Sequence, residues 1–285
     1  MNTDKMEYRL GVYEKSMPDT LSMEEKLRAA KQAGFDFVEM SVDESDKKMS
    51  RLDWTDDEMI AALKSERDAG LKMESICFSA QRKFPLGTED KNKEVAAKEL
   101  LKKAILFAVK MGIRIIQLQG YDCYYNEISN HRTKERFFRN LREAVSFASM
   151  YGVSLGIETM ENDFINTVSK AMYYVTKIDS PYLQVYPDIG NITNATDYVC
   201  RDIRSGAGHV FSAHLKETVP GKFREIPYGE GNVDFPSAIS ALYETGVRRY
   251  VAEFWYTGQK DWQKIMAGNR EFLKNQFLKA SEFMQ

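Results

Sequence analysis

The sequence predicts an α/β protein that folds as a single (β/α)8 barrel. Eight short β-branched or apolar runs alternate with longer amphipathic segments along the 285 residues, which is the pattern of βα units around a parallel sheet. A closed barrel of eight such units usually needs about 250 residues. Residues 11–18, after the first predicted strand, lack the glycine-rich phosphate turn typical of an open, doubly wound sheet. The barrel is therefore preferred over the open sheet.

The predicted elements alternate from one end of the chain to the other. The predicted strands are 9–13, 35–42, 73–79, 113–119, 154–160, 183–189, 210–216 and 250–255. The predicted helices are 22–33, 56–69, 91–111, 133–151, 167–178, 236–245 and 261–283. Glycines 34, 70, 112, 152 and 246 follow helical patterns, as helix stop signals do. No composition shift marks a boundary, so one domain is expected over residues 1–285.

Composition excludes several classes of protein. Hydrophobic residues make up 43% of the chain and charged residues 29%, unlike disordered chains. Forty Lys and Arg against forty-two Asp and Glu are too balanced for a nucleic-acid-binding protein. No run approaches the roughly 18 apolar residues of a membrane span. Residues 1–10 do not resemble a secretory signal, and three cysteines without a Cys-x-x-Cys pair are expected to be buried thiols. A cytoplasmic location is expected.

Polar side chains end four consecutive predicted strands, the fifth to the eighth. Active sites of (β/α)8 barrels lie at the carboxyl ends of the strands, so these positions are candidates for chemistry. They are occupied by Glu158, Asp188, His214 and Glu253. The other two of the three histidines, His131 and His209, lie in predicted helix or loop segments, where a structural role is expected.

Three carboxylates and one imidazole at one barrel mouth form an oxygen-rich ligand set. Such a set suits one divalent ion, either Zn²⁺, Mn²⁺, Mg²⁺ or Co²⁺. Three carboxylates alone would repel each other, and a divalent cation offsets that repulsion. Each residue taken singly could be structural, with the glutamates paired to lysines and the histidine satisfied in the core. Their equivalent positions at four strand ends favour the metal site.

Cationic side chains follow the third and the seventh predicted strands. Arg82 and Lys83 follow the third, and Lys216 and Lys222 follow the seventh. Cations at the mouth could hold an anionic substrate such as a sugar phosphate, and we expect Arg82, Lys216 and Lys222 to contact it. A solvated surface position is the alternative for each. Arg82 and Lys222 are the preferred candidates for the phosphate.

Three further segments lie near the predicted mouth. The aromatic segments 121–125 and 254–256 follow the fourth and the eighth strands, and they either line a substrate pocket or pack between barrel and helices. Residues 229–235 are predicted to form a loop that ends at Asp234, the N-cap of the next helix. Its two glycines allow a close approach of the backbone to the site.

Seven short stretches spread over the chain form a pattern more specific than any single motif. They are LGVYEK at 10–15, GFDFVEMSVDE at 34–44, SRLDW at 50–54, RKFPLG at 82–87, QLQGYD at 117–122, YPDIGN at 186–191 and GEGNVDF at 229–235. Together they resemble the L-xylulose-5-phosphate 3-epimerase family, also called L-ribulose-5-phosphate 3-epimerases, of ascorbate and related pentose pathways. That family lies within the xylose-isomerase-like barrels, and the resemblance runs almost from end to end.

The resemblance implies an isomerase that interconverts L-xylulose 5-phosphate and L-ribulose 5-phosphate. It implies the metal ligands Glu158, Asp188, His214 and Glu253, the residues already selected from strand ends. The ketose would bind the metal through its C2 carbonyl oxygen and a neighbouring hydroxyl, and the ion would acidify the C3 proton and stabilise the enediolate. Because inversion removes a proton from one face and returns it to the other, Glu158 and Glu253 are expected to act as base and acid.

Three positions depart from the family's pattern. Gln81 stands where a histidine is expected, and Glu217 and Glu161 stand where aspartates are expected. These departures bear on the details of substrate binding more than on the type of reaction.

Other functions remain open at the level of sequence. An aldose-ketose isomerase would use the same metal and the same enediolate and is the main alternative. Endonuclease IV-like barrels share the strand-end metal site, but they need three metals and more histidines than this chain has. A sugar-phosphate binding or regulatory protein would keep the barrel without turnover. The expected partners are a small sugar phosphate and a second copy in a homodimer, with neither nucleic acid nor membrane.

Overall fold

Eight parallel strands form the central sheet of the computed structural model, which describes residues 6–283. The strands are β1 (Arg9–Tyr13), β2 (Phe37–Val42), β3 (Met73–Phe78), β4 (Ile115–Gln119), β5 (Ser154–Glu158), β6 (Leu183–Tyr186), β7 (Ala213–Leu215) and β8 (Arg249–Ala252). Their order is β6-β5-β4-β3-β2-β1-β8-β7. The two end strands meet through the isolated pairs Val185–Val210 and Asp188–His214. The sheet is therefore a nearly closed barrel, and the predicted fold class is confirmed.

Helices connect the strands and cover the outside of the sheet. They are α1 (Met23–Gln32), α2 (Asp46–Met49), α3 (Asp56–Ala69), α4 (Lys91–Lys110), α5 (His131–Met150), α6 (Val168–Ile178), α7 (Ile189–Ala195), α8 (Val199–Arg204), α9 (Phe235–Glu244) and α10 (Trp262–Glu282). The short helices α2, α7 and α8 are not predicted from the sequence. They hold too few turns to show a helical period, and they form parts of the loops.

Local signals explain where the longer helices begin and end. Thr55 caps α3 in a capping box with Glu58, and Ser22 caps α1 in the same way with Glu25. Gly70 ends α3 with a φ of 65°, in the left-handed region that favours glycine. The predicted bounds of the first strand, 9–13, and of the helix at 56–69 are the same as the observed bounds.

The predicted carboxyl ends of the last four strands are wrong. The structure ends them at Glu158, Tyr186, Leu215 and Ala252, whereas the predicted runs extend to residues 160, 189, 216 and 255. Apolar residues such as Met160, Ile189 and Trp255 continue three of the runs past these points, but the chain leaves the ladder there to form the mouth of the barrel. At Asp188 it already turns into α7, which this residue caps.

Two layers of side chains form the core. Alternate residues of β2, namely Val38, Met40 and Val42, belong to the large apolar cluster that the helices share. Phe37 belongs to a second, smaller cluster with Tyr13, Cys77 and Val251. Because neighbouring strand residues face opposite sides, this smaller cluster lies inside the barrel. Above it the buried interior is polar, with Glu39, Ser75, Gln117 and His214 among the buried residues.

Three other predictions concern the chain as a whole. Within residues 6–283, no helix has the length and apolar character needed to cross a membrane. The three cysteines are free thiols, of which Cys77 and Cys123 are buried as predicted, whereas Cys200 is half-buried. The prediction about a secretory signal includes residues 1–5, which lie outside the described residues. The single domain over residues 1–285 stays a prediction.

Candidate metal and active site

Four side chains selected from the sequence meet at the carboxyl ends of β5 to β8. Glu158 is the last residue of β5, Asp188 follows β6, His214 lies in β7, and Glu253 follows β8. Each is at most 7% exposed. One ligand atom from each lies within 4.8 Å of the others. The site therefore straddles β6 and β7, where the barrel is closed only by isolated bridges.

His214 is the centre of this cluster. Its Nδ1 lies 2.7 Å from Glu158 Oε1 and 3.2 Å from Glu253 Oε2. Its Nε2 lies 2.5 Å from the carboxylate of Glu39, a residue of β2 on another side of the barrel. One ring nitrogen thus faces the candidate ligands, and the other faces a carboxylate outside them.

Asp188 is held by two neighbours. Lys216 Nζ lies 2.5 Å from Asp188 Oδ2 and donates a hydrogen bond of 2.8 Å to Asn191 Oδ1. The backbone N–H of Asn191 donates to Asp188 Oδ1 at 3.0 Å, which makes Asp188 the N-cap of α7. The short helix therefore fixes the direction of this carboxylate.

Burial and charge act against each other in the cluster. Burial raises the pKa of Glu158 above its ordinary value. Burial also opposes the ionised form of Glu253, but Lys216 and His214 outweigh it and hold the pKa of that carboxyl well below its usual range. Burial disfavours the charged imidazole of His214, yet Glu253, Glu39 and Glu158 hold its pKa well above the ordinary value. The ionised carboxylates of the site therefore depend on nearby positive charge, such as that of Lys216 and His214.

The residues present fit a divalent metal ion. The side-chain atom Glu253 Oε2 is buried and accepts no hydrogen bond from residues 6–283. A buried carboxylate oxygen without a donor is costly, and it is satisfied when it binds a cation. Three carboxylates and one imidazole are ligands that Zn²⁺, Mn²⁺ and related ions accept.

Arg82 follows β3 at the same end of the barrel. Its Nε is buried and has no hydrogen-bond partner in the described chain, and its guanidinium carbon lies 5.9 Å from the centre of the Tyr124 ring. No carboxylate between residues 6 and 283 pairs with it. An Arg side chain without an acceptor at the mouth is suited to an anionic group of a ligand.

The two predicted lysine contacts occupy different environments. Lys216 is 4% exposed and lies in the cluster, 3.8 Å from Glu253 Oε2 in addition to its contact with Asp188. Lys222 is exposed on a turn, where its backbone pairs with Val219, and its ammonium group forms no ion pair with the described residues. The structure thus brings Lys216 to the candidate ligands but not Lys222.

Three buried glutamines that were not selected as ligands or substrate contacts lie in β4 and just after β3. The Gln117 amide donates to Glu158, and Gln81 Oε1 accepts from the backbone N–H of Gln119 at 3.0 Å. Gln117 Oε1, Gln119 Oε1 and Gln81 Nε2 are buried without partners among residues 6–283. The sequence contains one signal for two of these glutamines. In IIQLQ at 115–119 polar residues alternate with an apolar one, so Gln117 and Gln119 lie on the same face of the strand.

The loop at 229–235 packs against Glu217. The carboxylate of Glu217 accepts hydrogen bonds from the backbone of Gly229 at 3.0 Å and of Val233 at 3.1 Å. A Cβ atom at Gly231 would lie 2.2 Å from Glu217 Oε1, so the approach requires glycine. Asp234 caps α9 as predicted, through Ser237. One departure from the family pattern thus anchors the loop.

The two aromatic segments differ in their roles, which were predicted to be either lining a substrate pocket or packing between barrel and helices. Tyr121 is fully buried and lies 4.6 Å from the Tyr124 ring, at the mouth beside Arg82. In the other segment, Phe254 packs on Tyr228, which belongs to the core, and Trp255 contacts the edge of Tyr13. The first segment borders the mouth, whereas the second combines core packing with a wall of the barrel interior.

Several known proteins with similar sequences or folds are sugar or sugar-phosphate epimerases. The family model of the xylose isomerase-like TIM barrel matches residues 27–276. L-ribulose-5-phosphate 3-epimerase UlaE of Escherichia coli strain SE11 is 42% identical over 272 residues, or 95% of each chain. The protein of the same name from Shigella sonnei strain Ss046 is 41% identical over the same share of each chain.

Solved structures share the fold at low sequence identity. D-allulose 3-epimerase from Methylomonas sp. has a TM-score of 0.79 at 15% identity, covering 95% of this chain and 98% of that one. An L-ribulose 3-epimerase has a TM-score of 0.78 at 19% identity, covering 97% of both chains. Epimerases are enzymes of the isomerase class. The chain therefore belongs to the xylose isomerase-like TIM barrel family and, within it, is an isomerase of the L-ribulose-5-phosphate 3-epimerase group.

Proposed function

We propose that this protein is a metal-dependent epimerase that interconverts L-xylulose 5-phosphate and L-ribulose 5-phosphate by moving the C3 proton. The observation that carries the proposal is the cluster of Glu158, Asp188, His214 and Glu253, whose ligand atoms lie within 4.8 Å of one another. It occurs in a chain 42% identical to an L-ribulose-5-phosphate 3-epimerase over 95% of its length. A role in ascorbate and related pentose metabolism belongs to the proposal.

Glu158 and Glu253 are proposed to move the proton. Both carboxylates approach His214 Nδ1, from β5 and from the end of β8, so they enter the site from different strands. A ketose between them would have one carboxylate on each face of C3. One removes the proton and the other returns it from the opposite side, and the roles exchange with the direction of reaction.

The same four residues would hold one divalent ion, Zn²⁺, Mn²⁺, Mg²⁺ or Co²⁺. Such an ion supplies positive charge that stabilises the enediolate of the ketose. Asn191 and Lys216 keep Asp188 in place, and Gln117 orients Glu158 through its amide. The free amide atoms of Gln81 and Gln119 are proposed to bind sugar hydroxyls.

The test of the proposed function is proton–deuterium exchange at C3 of L-xylulose 5-phosphate, followed by NMR in D₂O. Enzyme with added metal is compared with enzyme treated with EDTA. We expect exchange at C3 with formation of L-ribulose 5-phosphate only when metal is present. Exchange at C1 with an aldose product would instead support the aldose-ketose isomerase, and no exchange despite bound metal would contradict both activities.

Arg82 is proposed to bind the phosphate, with Lys216 nearer the sugar and Lys222 as the competing candidate for the phosphate. Losing a charge-assisted hydrogen bond costs about 1.5–3 kcal/mol. We therefore expect Arg82→Gln to raise KM for the sugar phosphate by about 10–100-fold. Lys222→Gln is the matched variant, because Lys222 is exposed and unpaired among residues 6–283. Steady-state kinetics with L-xylulose lacking phosphate provides the control.

Only a phosphate contact predicts a difference between the two substrates. Arg82→Gln should lower kcat/KM for L-xylulose 5-phosphate much more than for L-xylulose. An equal loss with both substrates would contradict the assignment of Arg82. A large loss in Lys222→Gln alone would transfer the role to Lys222.

We also propose that the protein forms a homodimer and that it is located in the cytoplasm. Large apolar side chains are exposed on the surface, among them Ile128 at 84%, Met150 at 70% and Tyr173 at 58%. Exposed apolar surface favours association, and two-fold dimers are the commonest assemblies. Free thiols at all three cysteines are consistent with a reducing compartment. Light scattering distinguishes the dimer from the monomer.

A further inference from the structure

The interior of the barrel contains one more buried carboxylate, besides the three candidate ligands, to which the proposed reaction gives no role. Glu39 lies in the middle of β2 and is 0% exposed. The barrel interior of this fold is usually filled by branched apolar side chains. An ionised group there is costly unless its oxygens are fully occupied by donors.

All the donors of Glu39 come from other strands. His214 Nε2 of β7 lies 2.5 Å from Glu39 Oε1. Ser75 Oγ of β3 and the Tyr186 hydroxyl of β6 each donate to Glu39 Oε2 at 2.8 Å. Four strands are thus joined through one carboxylate. The two hydroxyls occupy one oxygen, which leaves the other oxygen for the imidazole.

This pattern indicates which nitrogen of His214 would keep its proton with an ion bound among the candidate ligands. An ionised carboxylate accepts hydrogen bonds and cannot donate them. His214 Nε2 must therefore carry the hydrogen in its contact with Glu39. Nδ1 faces Glu158 at 2.7 Å and Glu253 at 3.2 Å, and it would give up its own hydrogen when an ion binds there, because the lone pair of the neutral imidazole is then on Nδ1. Nδ1 is also the nitrogen that could bind an ion held by these carboxylates.

We propose that Glu39 is a positioning residue that fixes the ring orientation and the tautomer of His214, so that Nδ1 is presented to the metal. The inference rests on the proposed metal site. Histidine ligands commonly donate their other N–H to a carboxylate, and loss of that partner typically lowers metal affinity by 10–100-fold. Ser75 and Tyr186 keep the carboxylate of Glu39 directed at the ring.

The first test compares Zn²⁺ affinity in competition with a fluorescent chelator. Glu39→Gln keeps the shape but loses the charge, and we expect it to bind Zn²⁺ about 10–100-fold more weakly than the parent. Glu66→Gln is the matched control, because Glu66 is also buried but accepts from the backbone of Met73 at 2.7 Å, away from the cluster. It should bind Zn²⁺ within about twofold of the parent, since it leaves the contacts of His214 intact.

The second test needs no variant and therefore does not depend on whether Glu39→Gln folds. The chain has only three histidines, so ¹H–¹⁵N correlation spectra of the Zn²⁺-loaded protein resolve the ring nitrogens of each. We expect His214 to be protonated at Nε2 and to bind Zn²⁺ through Nδ1. Zn²⁺ on Nε2, or unchanged affinity in Glu39→Gln, would overturn the role of Glu39 alone. Failure of the parent protein to bind Zn²⁺ at His214 would overturn the metal site as well.

Discussion

Replacing either Glu158 or Glu253 by glutamine is expected to slow epimerisation at C3 by about 10²–10⁴-fold, the usual contribution of a general acid or base. An amide of the same size cannot take up the proton. Inversion needs a group on each face of C3, so each single variant should lose epimerisation in both directions. Formation of the opposite epimer from L-xylulose 5-phosphate and from L-ribulose 5-phosphate, followed by NMR with purified variants, measures the effect.

A weaker metal site would also lower activity, so the variants must be compared at saturating metal. Asp188→Asn is the matched variant, because Asp188 is a proposed ligand with no proposed role in proton transfer. Its epimerisation rate should recover as metal is added, whereas those of Glu158→Gln and Glu253→Gln should stay low when their sites are full. Full activity in both glutamine variants would contradict the assignment.

The positions of the four candidate ligands could be predicted because the end of a strand can be recognised from neighbouring residues alone. Parallel strands end at the same rim, so a polar residue that ends an apolar run must lie near the others. The error in the strand boundary near Asp188 did not affect this result, because Asp188 still follows β6 and its pairing with His214 bridges β6 and β7.

The partners of these residues could not be predicted in the same way. Glu39 and His214 are 175 positions apart, and their contact depends on how the barrel closes across its interior. The glutamate within FVEMSV at 37–42 does indicate that hydrogen-bond partners exist, because a charged residue in a fully buried strand needs them. The sequence does not say which residue supplies them.

The side-chain contacts in the structure also distinguish three cations whose positions in the sequence are equivalent. Arg82, Lys216 and Lys222 all follow strand ends, but only Lys216 pairs with Asp188. Lys222 lies on a turn whose direction depends on hydrogen bonds within the loop. Loop conformation of this kind is set by tertiary contacts, such as those of Glu217 with residues 229–233, and has no period along the chain.

Glu14→Gln is expected to lower the free energy of unfolding by about 3–5 kcal/mol, the usual cost of removing one partner from a buried ion pair. Glu14 is fully buried after β1 and accepts hydrogen bonds from Lys26 and Lys48 at 2.7 Å each and from Arg51 at 2.5 Å. Without its charge, Lys26 and Lys48 would retain only Asp19, which is 62% exposed, and Arg51 would keep no carboxylate partner among residues 6–283. Urea unfolding with EDTA present, which removes any contribution from bound metal, measures the change.

Glu244→Gln is the control for a glutamate in an exposed pair. Glu244 and Arg204 are 41% and 50% exposed, and such pairs contribute at most about 1 kcal/mol. A loss in Glu14→Gln no larger than that of Glu244→Gln would show that the buried cluster does not stabilise the fold.

The pH dependence follows from the electrostatics of Glu14. Burial opposes its ionisation, but Arg51, Lys26 and Lys48 outweigh it and hold the pKa of Glu14 well below its usual range. An acid with a lowered pKa in the folded state stabilises the fold above its unfolded pKa, about 4.3, and loses that effect as the pH falls toward the folded value. The difference in unfolding free energy between parent and Glu14→Gln should therefore be constant near neutral pH and shrink below about pH 4.3. A difference that grows on acidification would contradict this sign, because it would mean that the protonated form of Glu14 is the one the fold stabilises.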